Sequence, residues 1–372
     1  MAKSSYAQAP AKIKVIGMGG GGCNAITRMV RDEIRGVEFI AMNTDAQALG
    51  ITEAPVRFQL GEKLTKGLGA GGDPIVGMKA AEESRDELTQ LVTGADMVFV
   101  TAGMGGGTGT GSIPVVAEVA KKSGALTIAI VTKPFGFEGR HRLKNAEEGI
   151  ARLASKCDTL IIIPNDRLLA LCDRQTSIEN AFSKADECLR HGVQAISEVI
   201  TVPGMINLDF ADVKAIMKDA GPAWMSIGIG SGASRAVDAA KDALASPLLD
   251  VSIKGAKGVL FNVTGSSTMT LHEVNQAAEV IRQAVDPAAN IIFGVRSDEQ
   301  MAKELKITLI ATGFAQASML GKMEDEEITR LLKSLKVEDE LDVPSFMRRP
   351  LFNQRRIMPS LTPETTRTEV KT

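Results

Sequence analysis

The sequence predicts an α/β protein: a parallel-sheet domain that binds phosphates, a long central helix, and a second, smaller α+β domain. Three patterns carry that expectation. Short apolar runs alternate with helical periodicity through the first half, the order that yields parallel strands with helices on both faces. Two glycine-rich loops follow strand-like runs and precede helical ones. A stripe of apolar residues at three- and four-residue spacing then runs from Ile178 to Ile200.

In chain order, residues 12–16, 37–42, 97–101, 126–132 and 159–163 read as strands, and helical segments separate most of them. Thr176-Ser177-Ile178-Glu179 has the spacing of a capping box and opens the long helix, which Pro203-Gly204 ends. Its positions Ile178, Ala181, Phe182, Ala185, Leu189, Val193, Ile196 and Ile200 form one apolar face suited to packing, while polar residues such as Asp186 stay free for a ligand. Strands are then expected at 224–230, 259–264, 291–295 and 307–311, with helices at 234–246 and 271–285 and a short one near 299–305. From about Gly321 acidic clusters surround a possible amphipathic turn at 328–335, and after Arg349 the tail is basic and rich in Pro, Ser and Thr.

The 372 residues suffice for about two domains. With a net charge of −2 there is no global attraction for nucleic acid, so any polyanion must be a small ligand bound locally. Cys23, Cys157, Cys172 and Cys188 contain no C-x-x-C pair, and the N-terminus opens onto no apolar signal core, so a reduced, cytoplasmic setting is expected. No apolar run approaches the ~20 residues of a membrane span. His141, His191 and His272 lack metal-ligand spacing, and no protein side chain is assigned to a metal.

The loop from Gly103 to Ser112, Gly-Met-Gly-Gly-Gly-Thr-Gly-Thr-Gly-Ser, puts six glycines in ten positions between a strand and a helix. Backbone without Cβ atoms can aim several N–H groups at one anion, at the positive end of the following helix. No Gly-Lys-Ser/Thr closes the loop, so phosphates there would be held by amides, hydroxyls and a metal ion rather than by a P-loop lysine, with a glycine-rich surface turn as the alternative. Gly17-Met18-Gly19-Gly20-Gly21-Gly22 is a second such loop, and two cradles on one sheet edge suit a ligand with several phosphates. That first loop also satisfies G-x-G-x-x-G with Asp45 downstream, a dinucleotide fingerprint. Its excess of glycine, the second cradle, and the lack of a Cys/His or Tyr/Lys catalytic pair weigh against a dehydrogenase.

These residues resemble the tubulin/FtsZ GTPase family. Gly103 to Ser112 is similar to its signature loop, Gly19-Gly20-Gly21-Gly22-Cys23-Asn24 to its first nucleotide loop, and Asn207-Leu208-Asp209-Phe210-Ala211-Asp212 to its synergy loop. Asn43-Thr44-Asp45, Gly67-Leu68-Gly69-Ala70-Gly71-Gly72, Phe135-Gly136-Phe137-Glu138-Gly139-Arg140 and Pro164-Asn165-Asp166 stand in family order. The resemblance runs from about Lys12 to Phe314, and residues 341–348 resemble the family's C-terminal peptide.

The resemblance implies a cytoplasmic GTPase that uses GTP/GDP and Mg2+ and polymerises head to tail into filaments of the cell-division ring, beneath the inner face of the membrane. It implies a flexible N-terminus (1–11), a GTP-binding domain (12–175), the central helix (176–203), the synergy loop with its helix (204–220) and an α+β domain (221–316). A linker (317–340), a partner-binding peptide (341–349) and a disordered basic tail (350–372) follow. Gly20, Gly21, Gly22, Cys23, Asn24, Gly107, Thr108 and Gly109 are implied to hold phosphates, with Ala70 and Gly71 near the terminal one. Glu138 and Arg142 fall at the ribose, and Asn165 and Asp186 at the guanine edge against the ring of Phe182. A carboxylate accepts from both N1–H and the exocyclic amine of guanine, a donor pair adenine lacks, although Asp186 also reads as a solvated helix carboxylate. Cys23 stands where Gly or Asn is expected and would bring a thiol near the phosphates.

Asp209 and Asp212 are the implied catalytic pair. Three residues apart, they can share one helical face and orient a water, and in the family their loop meets the neighbouring subunit's nucleotide. As residues alone they read equally as helix N-caps. Asp342, Val343, Pro344, Phe346, Met347 and Arg348 are implied to bind membrane-tethering and regulatory division proteins such as the actin-like FtsA; a disordered spacer is the alternative. Neither nucleic acid nor membrane insertion is expected.

Overall fold

The chain divides into two units, residues 1–315 and 316–372. The computed structural model describes residues 11–169, 172, 175–201, 209–246, 253–301 and 303–314, all within the first unit. The expected amphipathic turn at 328–335 and the peptide residues Asp342, Val343, Pro344, Phe346, Met347 and Arg348 lie outside the described residues.

The chain opens with β1 (Ile13–Met18), α1 (Gly19–Arg31), β2 (Val37–Asn43), α2 (Ala46–Gly50), β3 (Val56–Gln59), α3 (Glu62–Thr65), α4 (Pro74–Glu83) and α5 (Arg85–Val92). It continues through β4 (Met97–Gly103), α6 (Thr108–Lys122), β5 (Leu126–Lys133), α7 (Arg140–Ala154), β6 (Thr159–Pro164) and α8 (Asn165–Leu168). The six strands pair in parallel in the order β3-β2-β1-β4-β5-β6. Both sheet faces are covered, so the inner strands read as continuous apolar runs: Met97 to Ala102 are buried without alternation. On one face α1 packs against Val15, Phe99 and Ile128, and on the other α6 packs against Ile16, Val98 and Val100. The short edge strand β3 is only half-buried and polar at alternate positions, so its apolar signal is too weak to anticipate.

The long helix α9 (Ile178–Thr201) lies on the α1 face of the sheet, burying Ala185, Leu189, Val193 and Ile196. Ser177 Oγ accepts from Asn180 N at 3.2 Å, so the cap sits one residue later than the Thr176–Glu179 spacing predicts. Ile178 and Phe182 of the expected packing face are exposed.

After α10 (Phe210–Met217) come β7 (Gly221–Ser231), α11 (Arg235–Ala245), β8 (Gly258–Gly265), α12 (Leu271–Ala284), β9 (Asn290–Ser297) and β10 (Glu304–Thr312). The first residues of β7 pair in parallel with β6, Thr159 opposite Gly221, and the strand then runs on antiparallel to β10. One ten-stranded sheet, β3-β2-β1-β4-β5-β6-β7-β10-β8-β9, therefore links both halves. Within the expected helix over 299–305 the described residues form instead a 3-10 turn, Glu299–Met301, and β10 begins at Glu304. Leu305 decides this: it is fully buried, with Gly230 on one side and Gly265 on the other, where a helix could not satisfy both neighbours' backbone groups.

Candidate functional site

The ends of β1 and β4 carry both glycine loops to the carboxyl edge of the parallel sheet, where crevices form in such folds. The loops meet backbone to backbone. Gly19 has φ +67°, and a Cβ there would lie 2.8 Å from Gly109 N, so only glycine lets the two helix starts approach this closely. A third loop closes in: a Cβ on Gly107 would stand 2.9 Å from the Ala70 Cβ and 2.8 Å from Asp73 N. By contrast, a Cβ at Gly20, Gly71 or Gly106 would meet nothing within 4 Å. These positions border open space, with Gly22, Cys23, Gly107 and Gly109 buried behind them.

Neither α1 nor α6 has a side-chain N-cap or an acidic residue in its first turn. Their leading N–H groups and helix dipoles therefore face the open space together, an arrangement that favours an anion. Gly21 abuts Gly103, Asn24 is exposed on α1, and the Thr44 and Thr108 hydroxyls touch at 2.6 Å beside the second loop. The Cys23 thiol, expected near the phosphates, lies inward of the first glycine loop, 4.0 Å from Gly17 O. It is buried under α1, 3.6 Å from Met42 O, and burial raises its pKa to about 11. Asp45, the acidic residue of the dinucleotide fingerprint, caps α2 by accepting from Gln47 and Ala48 N–H.

Further along the edge, the start of α7 abuts the second loop, because a Cβ on Gly105 would lie 2.9 Å from Arg142 O. Arg142 donates to Glu138 Oε2 at 2.6 Å, and Glu138 Oε1 accepts from Phe135 N at 2.9 Å. Phe135 and Phe137 stack at 5.0 Å, and Phe182 meets Phe135 edge-on at 5.3 Å. Phe182 and Phe137 remain 40% and 60% exposed, an apolar platform open to a planar ligand. Asn165 is buried, yet its Oδ1 finds no partner among the described residues, a costly state that an arriving donor would relieve. Asp186 is nearly buried, its side chain 14% exposed, and pairs with Arg28 Nε at 3.1 Å. Desolvation raises its pKa to about 6 against the pull of Arg28, so the solvated-carboxylate alternative does not describe it.

Asp209 and Asp212 do not join these groups. The long helix starts beside Phe135, at the carboxyl edge, and ends at Thr201, whose hydroxyl donates to Arg35 O just before β2, at the amino edge. Its 24 residues span about 36 Å. The last residue of α10, Met217, accepts at its carbonyl from the Thr159 hydroxyl at the amino end of β6. Asp209 stands one short helix from that point. It caps α10 by accepting from Ala211 N at 3.4 Å, while Asp212 Oδ2 accepts from Asp209 N at 3.4 Å. The capping alternative is thus realised, and both carboxylates are exposed at the edge opposite the glycine loops.

A family model described as the GTPase domain of the tubulin/FtsZ family matches residues 12–173, and one described as the FtsZ family C-terminal domain matches residues 221–315. The chain belongs to the tubulin/FtsZ family. Among solved structures, an empty FtsZ dimer from M. jannaschii is 47% identical, with a TM-score of 0.80 over 82% of this chain and 89% of that one. A tryptophan-to-tyrosine mutant of the same FtsZ matches with equal identity and score over 92% of its chain. At 20% identity, CetZ2 of Haloferax volcanii, solved as a GTPγS-bound protofilament, shares the fold with a TM-score of 0.70 over 87% of this chain and 99% of that one. The open cradle, with Phe135 and Phe137, thus lies in a tubulin/FtsZ-family GTPase domain, and Phe182 of the platform follows just beyond the matched residues.

Sequence reasoning missed Arg28, the Thr44–Thr108 hydroxyl pair and the stacking of Phe135 on Phe137. The phenylalanines lie within the Phe-Gly-Phe-Glu segment and could have been weighed with Phe182. Arg28 left no signal, because its partner is 158 residues away.

Proposed function

We propose that this FtsZ-family GTPase binds GTP along the carboxyl edge of its sheet, hydrolyses it only where a neighbouring copy supplies Asp209 and Asp212, and so polymerises head to tail into filaments of the division ring. The separation of the two groups carries the reading: the glycine loops and the carboxylates lie at opposite edges of one protomer, so a single chain cannot assemble both around one phosphate. In this scheme Gly20 to Asn24 and Gly107 to Gly109 cradle phosphates, with Ala70 and Gly71 beside the terminal group. Glu138 and Arg142 meet the ribose, and the base lies on Phe182 with its donors on Asp186 and Asn165.

The uncapped amides suit a polyphosphate, and Asp186 suits a base that donates twice. Mg2+, a hard cation that retains water ligands, would enter on the phosphate oxygens and offset their charge. Asp209 and Asp212 would leave their mutual cap to orient a water on the neighbour's terminal phosphate. Residues 342–348 would dock to FtsA-like tethering and regulatory proteins, holding the filament beneath the cytoplasmic face of the membrane.

The test is hydrolysis against protein concentration with GTP and Mg2+, combined with mixing. Asp212→Ala alone should bind GTP and turn over at least about tenfold more slowly. Gly20→Ala alone should bind GTP poorly, yet it still carries both carboxylates. Mixing the two should restore hydrolysis above either variant. Parental turnover by Asp212→Ala, or a specific activity independent of concentration, would overturn the shared site.

A further inference from the structure

We propose that Arg28 is a specificity-determining residue of the nucleotide site: its guanidinium is the counter-charge that keeps Asp186 an acceptor for the guanine edge. This rests on the base assignment above and deepens it.

The argument begins with burial. Asp186 faces the α1–α9 seam beside buried Ala185 and Leu189, and its carboxylate has lost most of its water. A carboxylate in such a place tends to take up a proton, which would turn an acceptor into a donor. Guanine presents donors at N1 and at its exocyclic amine, so a protonated Asp186 would meet donor with donor. The charged groups acting on it are few. Arg28 approaches from α1 at 3.1 Å, and Glu187, beside Asp186 on α9, opposes ionisation. On α8, Asp166 is turned to the amide of Gly136, and Arg167 follows it. The aromatic wall of Phe135, Phe137 and Phe182 supplies no charge. Among the described residues, Arg28 is the group that both bonds the carboxylate and lowers its pKa, and even so that pKa stands at about 6.

The geometry also leaves room for the ligand. Arg28 uses one nitrogen, Nε, on one oxygen, Oδ2, leaving Oδ1 without a hydrogen bond from Arg28. The arginine is 39% exposed, so it can shift with the base without giving up its own solvation. In the empty chain it holds the carboxylate in place. In the occupied site it would offset the charge while guanine takes the acceptor edge.

The experiment measures GTP affinity from pH 5.5 to 9 for the parent, Arg28→Met, Arg28→Lys and Asp186→Asn. Dividing each profile by that of Asp186→Asn removes the titration of the nucleotide's own phosphates. The parent should lose affinity only below about pH 6. In Arg28→Met the loss should begin about one to two pH units higher, a deficit of about two- to tenfold at pH 7 that closes by pH 9. Arg28→Lys should restore most of the parental profile. A deficit in Arg28→Met that is equal at every pH would overturn the proposal and make Arg28 a structural or phosphate-attracting residue. Parental affinity and guanine preference in Asp186→Asn would instead refute the base assignment itself.

Discussion

Gly20→Ala should raise the stability of the empty fold and lower its affinity for GTP. Gly20 lies in the first turn of α1 outside the left-handed region, and a Cβ there would meet no protein atom within 4 Å. Alanine in place of glycine restricts the unfolded chain and suits a helix, worth about 0.4–1 kcal/mol. For a domain of this size that is a rise in Tm of about 1–3 °C. The same methyl would occupy the space the phosphates are proposed to fill, and losing the closest backbone approach should weaken GTP by at least about tenfold, or 1.4 kcal/mol. Gly77→Ala supplies the contrast: a Cβ there would lie 2.3 Å from Gly107 O, so α4 must move off the cradle at a cost of about 1–3 kcal/mol. Thermal unfolding with and without GTP separates the cases, because a ligand at 100 times its Kd adds about 2.7 kcal/mol to the parent. Gly20→Ala should melt higher than the parent without GTP and gain little on adding it, whereas Gly77→Ala should melt lower in both conditions. A full GTP-induced shift in Gly20→Ala would show that phosphates do not pass over this loop.

Two further outcomes are expected. His191, on α9, has its pKa lowered to about 3 by burial and by Arg190 and Lys306, so the unfolded chain binds its proton first and stability should fall as pH drops from about 6.5. Asp186, raised to about 6, acts in the opposite sense there, since its protonation favours the folded state. Denaturant titrations in an Asp186→Asn background should therefore expose the histidine, and His191→Gln should flatten stability between pH 6.5 and 4.5; an unchanged slope would assign the acid sensitivity elsewhere. Glu118 and Glu273, held near 2 by Lys122 and Arg235, lose their contribution only below about pH 4.5 and lie outside that window. Truncation after Gly321 should leave GTP-dependent sedimentation intact and abolish capture by lipid-bound tethering partner, with Phe346→Ala causing most of that loss alone; a truncated chain that no longer sediments would put the tail within assembly.

Much of the fold was legible because burial on two faces leaves a simple trace. Continuous apolar runs such as Met97 to Val100, and the periodic stripe of α9, announce themselves in any window of the chain. The misplaced elements are those whose state depends on distant neighbours. Leu305 belongs to a strand because β7 and β8 stand on either side of it, and β3 forms because β2 offers an edge. Ser177 rather than Thr176 caps α9, a one-residue choice that local spacing does not resolve.

The candidate site divides in the same way. Glycine density after β1 and β4 is a local signal, since only residues without a Cβ permit Gly19 to approach Gly109. By itself the sequence marked the two glycine loops after strands, while the roles of Asp186 as base reader and of Asp209 and Asp212 as water holders came only as what the family resemblance implies. Only the tertiary structure decided that Cys23 turns its thiol inward, that Asp186 sits desolvated against Arg28, and that Asp209 and Asp212 cap one another at the far edge of the sheet. Each of these depends on groups brought together by packing, and a carboxylate's solvation and partners are properties of its neighbours in space, which no local pattern of residues encodes.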